Sequence, residues 1–118
     1  MAKASDIHKL AMALPGVLQK PHFGSQSYRA PNGKMFAEAN DARNEAILKL
    51  SSARQEILFE VRPETFQPAI WGAIRWSRIT LNEIDAKELP ELVREAYDQV
   101  TSAKPSKKKA GKKISARR

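Results

Sequence analysis

His8 and His22 are the side chains best suited to acid–base or metal chemistry near neutral pH. Neither has a second ligand or a carboxylate at a recognised metal-binding spacing, and His8 falls in the first turns of a helical pattern, so no metal or other cofactor is expected. His22, between Pro21 and Phe23, reads as a turn histidine bonded to backbone, with general-base work as the alternative. The chain contains no cysteine, which excludes a thiol nucleophile, a disulfide framework, Cys-ligated zinc and iron–sulfur clusters. Its five glycines, Gly16, Gly24, Gly33, Gly72 and Gly111, make neither a phosphate loop nor a dinucleotide fingerprint. Glu56, Glu60 and Glu64 recur every four residues and read as a solvated face. No catalytic constellation is visible.

The stronger signal is aromatic and basic. Trp71 and Trp76, with Phe66 and Tyr28, stand near Arg29, Arg75 and Arg78, residue types that together stack on bases and contact phosphates. Packing is the preferred reading for Trp71 and Phe66, because aromatics supply most of a thin core. Arg75, Trp76 and Arg78 form the candidate functional set, since charge beside a Trp in an exposed strand phase has no packing role.

Charge is segregated. Of 21 Lys and Arg against 13 Asp and Glu, residues 1–101 hold 13 of each sign, so the formal +8 lies wholly beyond Thr101. There Lys104, Lys107, Lys108, Lys109, Lys112, Lys113, Arg117 and Arg118 face no acid, and Ile114 is the only large apolar side chain. Such composition cannot bury enough apolar surface to offset chain entropy, so a disordered arm over 102–118 that binds polyanions is expected. A solvated solubility tail is the alternative. The longest apolar run, Leu10 to Leu14, is far short of the ~20 residues that span a bilayer. Asp6, His8 and Lys9 interrupt what would be an export signal, and none is read.

These residues must be positioned by one domain, expected over 1–101. Ser5 caps a first helix carrying Ile7, Leu10, Ala11 and Leu14, ended by Pro15 and Gly16. A turn-rich stretch follows around residues 20–24. Residues 25–30 and 34–40 read as a hairpin about Pro31, Asn32 and Gly33, and residues 45–50 add a third strand. Ser52 and Gln55 have capping-box spacing ahead of a helix with Ile57, Leu58 and Val61. A short strand lies between Pro63 and Ala69 and a longer one over 75–81. Leu89, Leu92, Val93, Ala96 and Val100 then give a third helix its apolar stripe, with Pro90 in the first turn or just after a tight turn. The order α-β-β-β-α-β-β-α predicts a two-layer α+β domain, an antiparallel sheet with helices on one face. The other face is expected to carry Phe36, Glu38, Ile47, Lys49, Trp76, Arg78 and Thr80.

Three stretches, LPGVLQKPHFGSQSYRAPNGKMFA at 14–37, LKLSSARQEILFEVRPETFQPAIWGAIRWSRITLNEID at 48–85 and ELPELVREAYDQV at 88–100, resemble the MmcQ/YjbR family. The resemblance implies a CyaY-like (frataxin-type) α+β fold and a DNA-binding role through a double-wing arrangement, and it brings no catalytic residue set. Matching motif positions are Lys20, Pro21, His22, Phe23, Gly24, Tyr28, Arg29, Trp71, Gly72 and Trp76, expected to cluster where the first strand meets the last. Ile74 and Arg75 stand where a Gly is expected ahead of the Trp.

Together these readings predict a non-enzymatic, largely sequence-nonspecific nucleic-acid-binding protein, with DNA favoured over RNA, cytoplasmic and nucleoid-associated. The tail cations supply phosphate contacts, and Lys34, Arg43, Arg75, Trp76 and Arg78 supply the domain surface. The alternative is a protein- or small-ligand-interaction module with a pocket of Lys20, His22, Tyr28, Arg29 and Trp71. An enzyme using His22 or Tyr28 as acid or base is the third.

Overall fold

Leu89, Leu92, Val93, Ala96 and Val100 recur at the period of a helix, and in the computed structural model they form the buried stripe of α3 (Leu89–Thr101). The structure describes residues 2–22, 24–71 and 74–101. Before α3 come α1 (Ala4–Met12), β1 (Leu18–His22), β2 (Ser25–Arg29), β3 (Met35–Asn40), β4 (Glu45–Leu48), α2 (Ser52–Val61), β5 (Phe66–Trp71) and β6 (Ile74–Thr80). Two short 3-10 turns, Leu81–Glu83 and Ala86–Glu88, then lead into α3. The Asp85 carboxylate caps the second by accepting from the Lys87 N–H at 2.9 Å, which leaves Pro90 in the first turn of α3 without breaking a backbone bond. Among the described residues, no helix is long and apolar enough to cross a membrane.

The six strands form one antiparallel sheet in the order β1-β2-β3-β4-β6-β5. The α+β class and the antiparallel sheet are as the sequence predicts, with one strand more. Residues 18–22 are not a turn but β1, an edge strand. Its sequence, LQKPH, is mostly exposed and shows no apolar alternation, and Pro21 is tolerated because an edge strand need not donate on its outer side.

Helix starts also differ slightly. The α1 N-cap is Lys3, whose N–H donates to the Asp6 carboxylate at 2.9 Å. The cap of α2 is Ser51, not Ser52, with its hydroxyl accepting from the Arg54 N–H at 3.2 Å. Gln55 is released for another task. It is buried, its amide nitrogen donates to the carbonyls of Leu50 (2.7 Å) and Arg75 (2.9 Å), and its amide oxygen accepts from Arg75 Nε at 3.0 Å. That network, with Leu58, fastens α2 to β6, whereas Ile57 and Val61 of the expected stripe are exposed. Gln55→Ala would orphan two carbonyls and a guanidinium N–H, so a loss of about 2–3 kcal/mol is expected in urea unfolding.

The main core lies between the helices and one sheet face, with Ile7 and Ala11 of α1 and the α3 stripe meeting Tyr28, Ala37, Leu48 and Ile79. Phe36 belongs here too, contrary to its expected place on the open face. Register shifts between Tyr28 and Arg29: Tyr28 opposes Ala37, whereas Arg29 opposes Met35. The extra residue in β3 is a bulge that turns Phe36 inward. Its ring meets Tyr97 edge-on at 5.4 Å, and the Tyr97 hydroxyl donates to the Pro15 carbonyl at 2.7 Å.

Candidate functional site: the open sheet face

Side chains alternate across a sheet, so register alone assigns the face that no helix covers. One row across it runs Ser27, Glu38, Ile47, Arg78 and Gln67, each opposite the next on the neighbouring strand. In the adjoining row Asn40 opposes Glu45 and Glu45 opposes Thr80, while His22 of β1 opposes Ser25. Between and beside these rows is a groove of about 510 Å³, lined by His22, Ser25, Glu38, Asn40, Arg43, Glu45, Ile47 and Arg78. That size lies in the usual range for small-molecule sites.

The polar groups of the groove hold one another in place. Asn40 donates from Nδ2 to Ser25 Oγ and accepts at Oδ1 from the Arg43 N–H, both at 2.9 Å, which fixes the β3–β4 turn and so the root of Arg43. Arg78 Nε lies 3.9 Å from Glu45 Oε1. His22 Nε2 lies 3.6 Å from Glu38 Oε2. Glu38 is only 8% exposed, and burial raises its carboxyl above the ordinary carboxylate range, an effect the imidazole opposes when protonated. Because the folded-state value is raised, the native state binds more protons than the unfolded chain between the two values, and stability falls as pH rises through that window. Glu38→Gln is therefore expected to raise the melting temperature at pH 7 to 8, with the gain disappearing as pH falls below about 4. Thermal melts of both proteins from pH 4 to pH 8 check this.

Above the groove the same face carries a second apolar cluster of Ile47, Ala69 and Trp76, with Met35 against it. Trp76 is 6% exposed, and the Lys49 ammonium lies 5.9 Å from its ring centroid. It packs rather than offering an exposed stacking platform. Phe66 and Tyr28 are also buried, in the main core.

The predicted surface residues separate. Arg43 and Arg78 line the groove. Arg75, next to Trp76 in β6, points to the opposite face, held by Gln55 and lying over the Phe59 ring at 5.4 Å. Lys34 lies before β3 and Arg43 after it, so they mark opposite ends of the open face, about 20 Å apart by strand rise. The eight tail cations, and Phe23 and Gly72 of the motif, lie outside the described residues.

The predicted pocket does not assemble. Lys20 and His22 project to the open face, whereas Tyr28 is buried on the helix side with its hydroxyl 2.9 Å from His8 Nδ1. Arg29 donates to the Gly33 carbonyl at 3.3 Å, at the far end of β2 from Ser25. Trp71 lies in β5, and β1 and β5 are opposite sheet edges with four strands between them. The first strand does not meet the last, and His22 and Tyr28 cannot share one site. Among the described residues, no three His, Asp or Glu side chains gather as a metal site.

Alternation places Glu38 on the open face, but nothing in the sequence marks its approach to His22. No sequence motif singles out Ser25, Asn40 or Glu45. Their signal is the alternation of Glu38 with Asn40 and of Glu45 with Ile47 on strands joined by a tight turn.

A family model described as YjbR matches residues 12–99. Among solved structures, Deinococcus radiodurans protein DR2400, described as a DUF419 domain, superposes with a TM-score of 0.78 at 23% identity, covering 90% of this chain and 83% of that one. At that identity the likeness shows the fold. No curated protein matches the chain.

Proposed function

We propose that this chain, which belongs to the YjbR family, is a non-enzymatic nucleic-acid-binding protein of low sequence preference. The observation that carries the reading is the concentration of the entire net charge, +8, in residues 102–118 beside a domain that is net neutral. A run of this kind attracts phosphates by counterion release and reads no sequence by itself. The domain adds cations on one sheet face: Arg43 and Arg78 at the groove, with Lys20 and Lys49 beside them. DNA is the favoured partner, and a nucleic-acid partner implies an intracellular, cytoplasmic place of action.

The test is duplex and single-strand affinity of the full chain and of residues 1–101 across a salt series. Steep salt dependence confined to the full chain supports the reading. Equal affinity of the truncated protein at the same salt overturns the assignment of affinity to residues 102–118, and absence of binding by the full chain overturns the reading itself.

A second reading, a small-ligand module, is favoured by one feature, the groove itself. Its polar lining is built from five different strands and a turn, which surface charge alone does not require.

A further inference from the structure

We propose that the groove on the open sheet face admits a single unstacked guanine nucleotide, its base lying on Ile47, its N–H edge on Glu38 and its phosphate on Arg78 and Arg43. This deepens the nucleic-acid reading, and rests on it, by naming the nucleotide that the domain itself accepts.

The register supplies the argument. Glu38, Ile47 and Arg78 are consecutive in one row, on β3, β4 and β6. An acceptor, an apolar floor and a cation thus follow one another across two strand spacings, about 10 Å, a span that suits a base at one end and its 5′-phosphate at the other. The floor continues into Trp76 and Ala69, so Ile47 is backed by packed side chains rather than by solvent. Asn40 already bonds to Ser25 and to the Arg43 backbone, and the Glu45 carboxylate lies toward Arg78, so Glu38, with His22 Nε2 3.6 Å from one of its oxygens, is the carboxylate directly beside the Ile47 floor.

A carboxylate with two oxygens in one plane matches the adjacent N1–H and N2–H donors of guanine. Adenine presents an acceptor beside a donor on the same edge and leaves one carboxylate oxygen facing a lone pair. A free ammonium ligand needs acceptors on several sides, whereas Glu38 is 8% exposed and sits beside the apolar side chain of Ile47. Its buried carboxyl has lost most of its water, so two ligand donors replace hydrogen bonds that folding removed. Arg78 is 40% exposed at its side chain and 3.9 Å from Glu45, a loose pairing that a phosphate can displace.

The experiment is calorimetric titration of the full chain with GMP, IMP and AMP near 200 mM salt, where generic phosphate attraction is weakened. GMP is expected to bind about tenfold to a hundredfold more tightly than AMP, the discrimination of a good bidentate base contact. IMP, which lacks the N2 donor, should fall between them. Glu38→Gln should erase the preference for GMP, and since it removes a desolvated charge it keeps the fold, as its thermal melt will show. Arg78→Ala should weaken all three nucleotides by a similar factor. Equal binding of GMP and AMP, or a preference that survives Glu38→Gln, overturns the proposal, as does absence of GMP binding at millimolar concentration. Such a failure together with a steep duplex salt slope leaves the nucleic-acid reading standing. Guanine selectivity without any salt-dependent binding of duplex or single strands supports the groove site and overturns the wider reading.

Discussion

Removing residues 102–118 is expected to collapse the salt dependence of DNA binding. Each Lys or Arg that neutralises a phosphate contributes roughly −0.9 to the slope of log affinity against log salt, so the eight cations at Lys104, Lys107, Lys108, Lys109, Lys112, Lys113, Arg117 and Arg118 contribute about −7 to the full-chain slope. Across 50 to 200 mM salt that contribution alone corresponds to about a ten-thousandfold loss of affinity. In the truncated protein the groove cations Arg43 and Arg78 remain, one phosphate each, for a slope near −2 and at most about a twentyfold loss over the same range. At 50 mM the truncation should cost at least about a hundredfold. Fluorescence anisotropy with a labelled duplex reads both quantities. A truncated protein retaining a slope near −7 would move the binding surface to the domain. Replacing the eight cations by Gln in the full chain separates charge from length: if affinity survives this change but not truncation, the segment acts by something other than its charge.

The elements legible in the sequence were those whose physics is local or periodic. The stripe from Leu89 to Val100 repeats at the helical period and is buried as expected. The turn at Pro31, Asn32 and Gly33 also follows from residue type, with Gly33 at φ +87° and the Asn32 carboxamide oxygen accepting from the Lys34 N–H at 2.9 Å. What escaped depends on neighbours distant in sequence. β1 has little apolar pattern because an edge strand buries little, so its pairing with β2 had no signature. The two ends of the motif, near His22 and Trp71, look related in sequence, yet strand order sends them to opposite edges. The groove follows the same logic. Alternation alone puts Glu38, Ile47 and Arg78 each on the open face, but their alignment in one row is a property of register. Arg75 and Trp76 are adjacent in the chain, and the same alternation separates them to opposite faces.

Phe36→Ala is expected to destabilise the domain by about 3–5 kcal/mol, the cost of emptying a buried aromatic site. The magnitude follows from the bulge opposite Tyr28 and Arg29. Strict alternation from Glu38 would leave Phe36 on the open face, where truncation would cost within about 1 kcal/mol. With one residue added to β3, Phe36 is instead fully buried and its ring contacts Tyr97 of α3. The substitution therefore removes apolar area from the core and an edge-on aromatic contact from the seam between sheet and helix. The measurement is the urea midpoint at fixed denaturant slope, so that the change reports stability rather than compactness. A loss of this size is a large share of the roughly 5–15 kcal/mol that holds a domain of this class together, and the Ala variant is expected to populate unfolded chain even without urea. Phe36→Leu keeps the measurement open, since a buried hydrophobic swap of nearly conserved volume should cost about 1.5 kcal/mol or less. If both variants are as stable as the parent, Phe36 lies on the open face with Glu38, β3 has no bulge, and Met35 takes its place toward the helices.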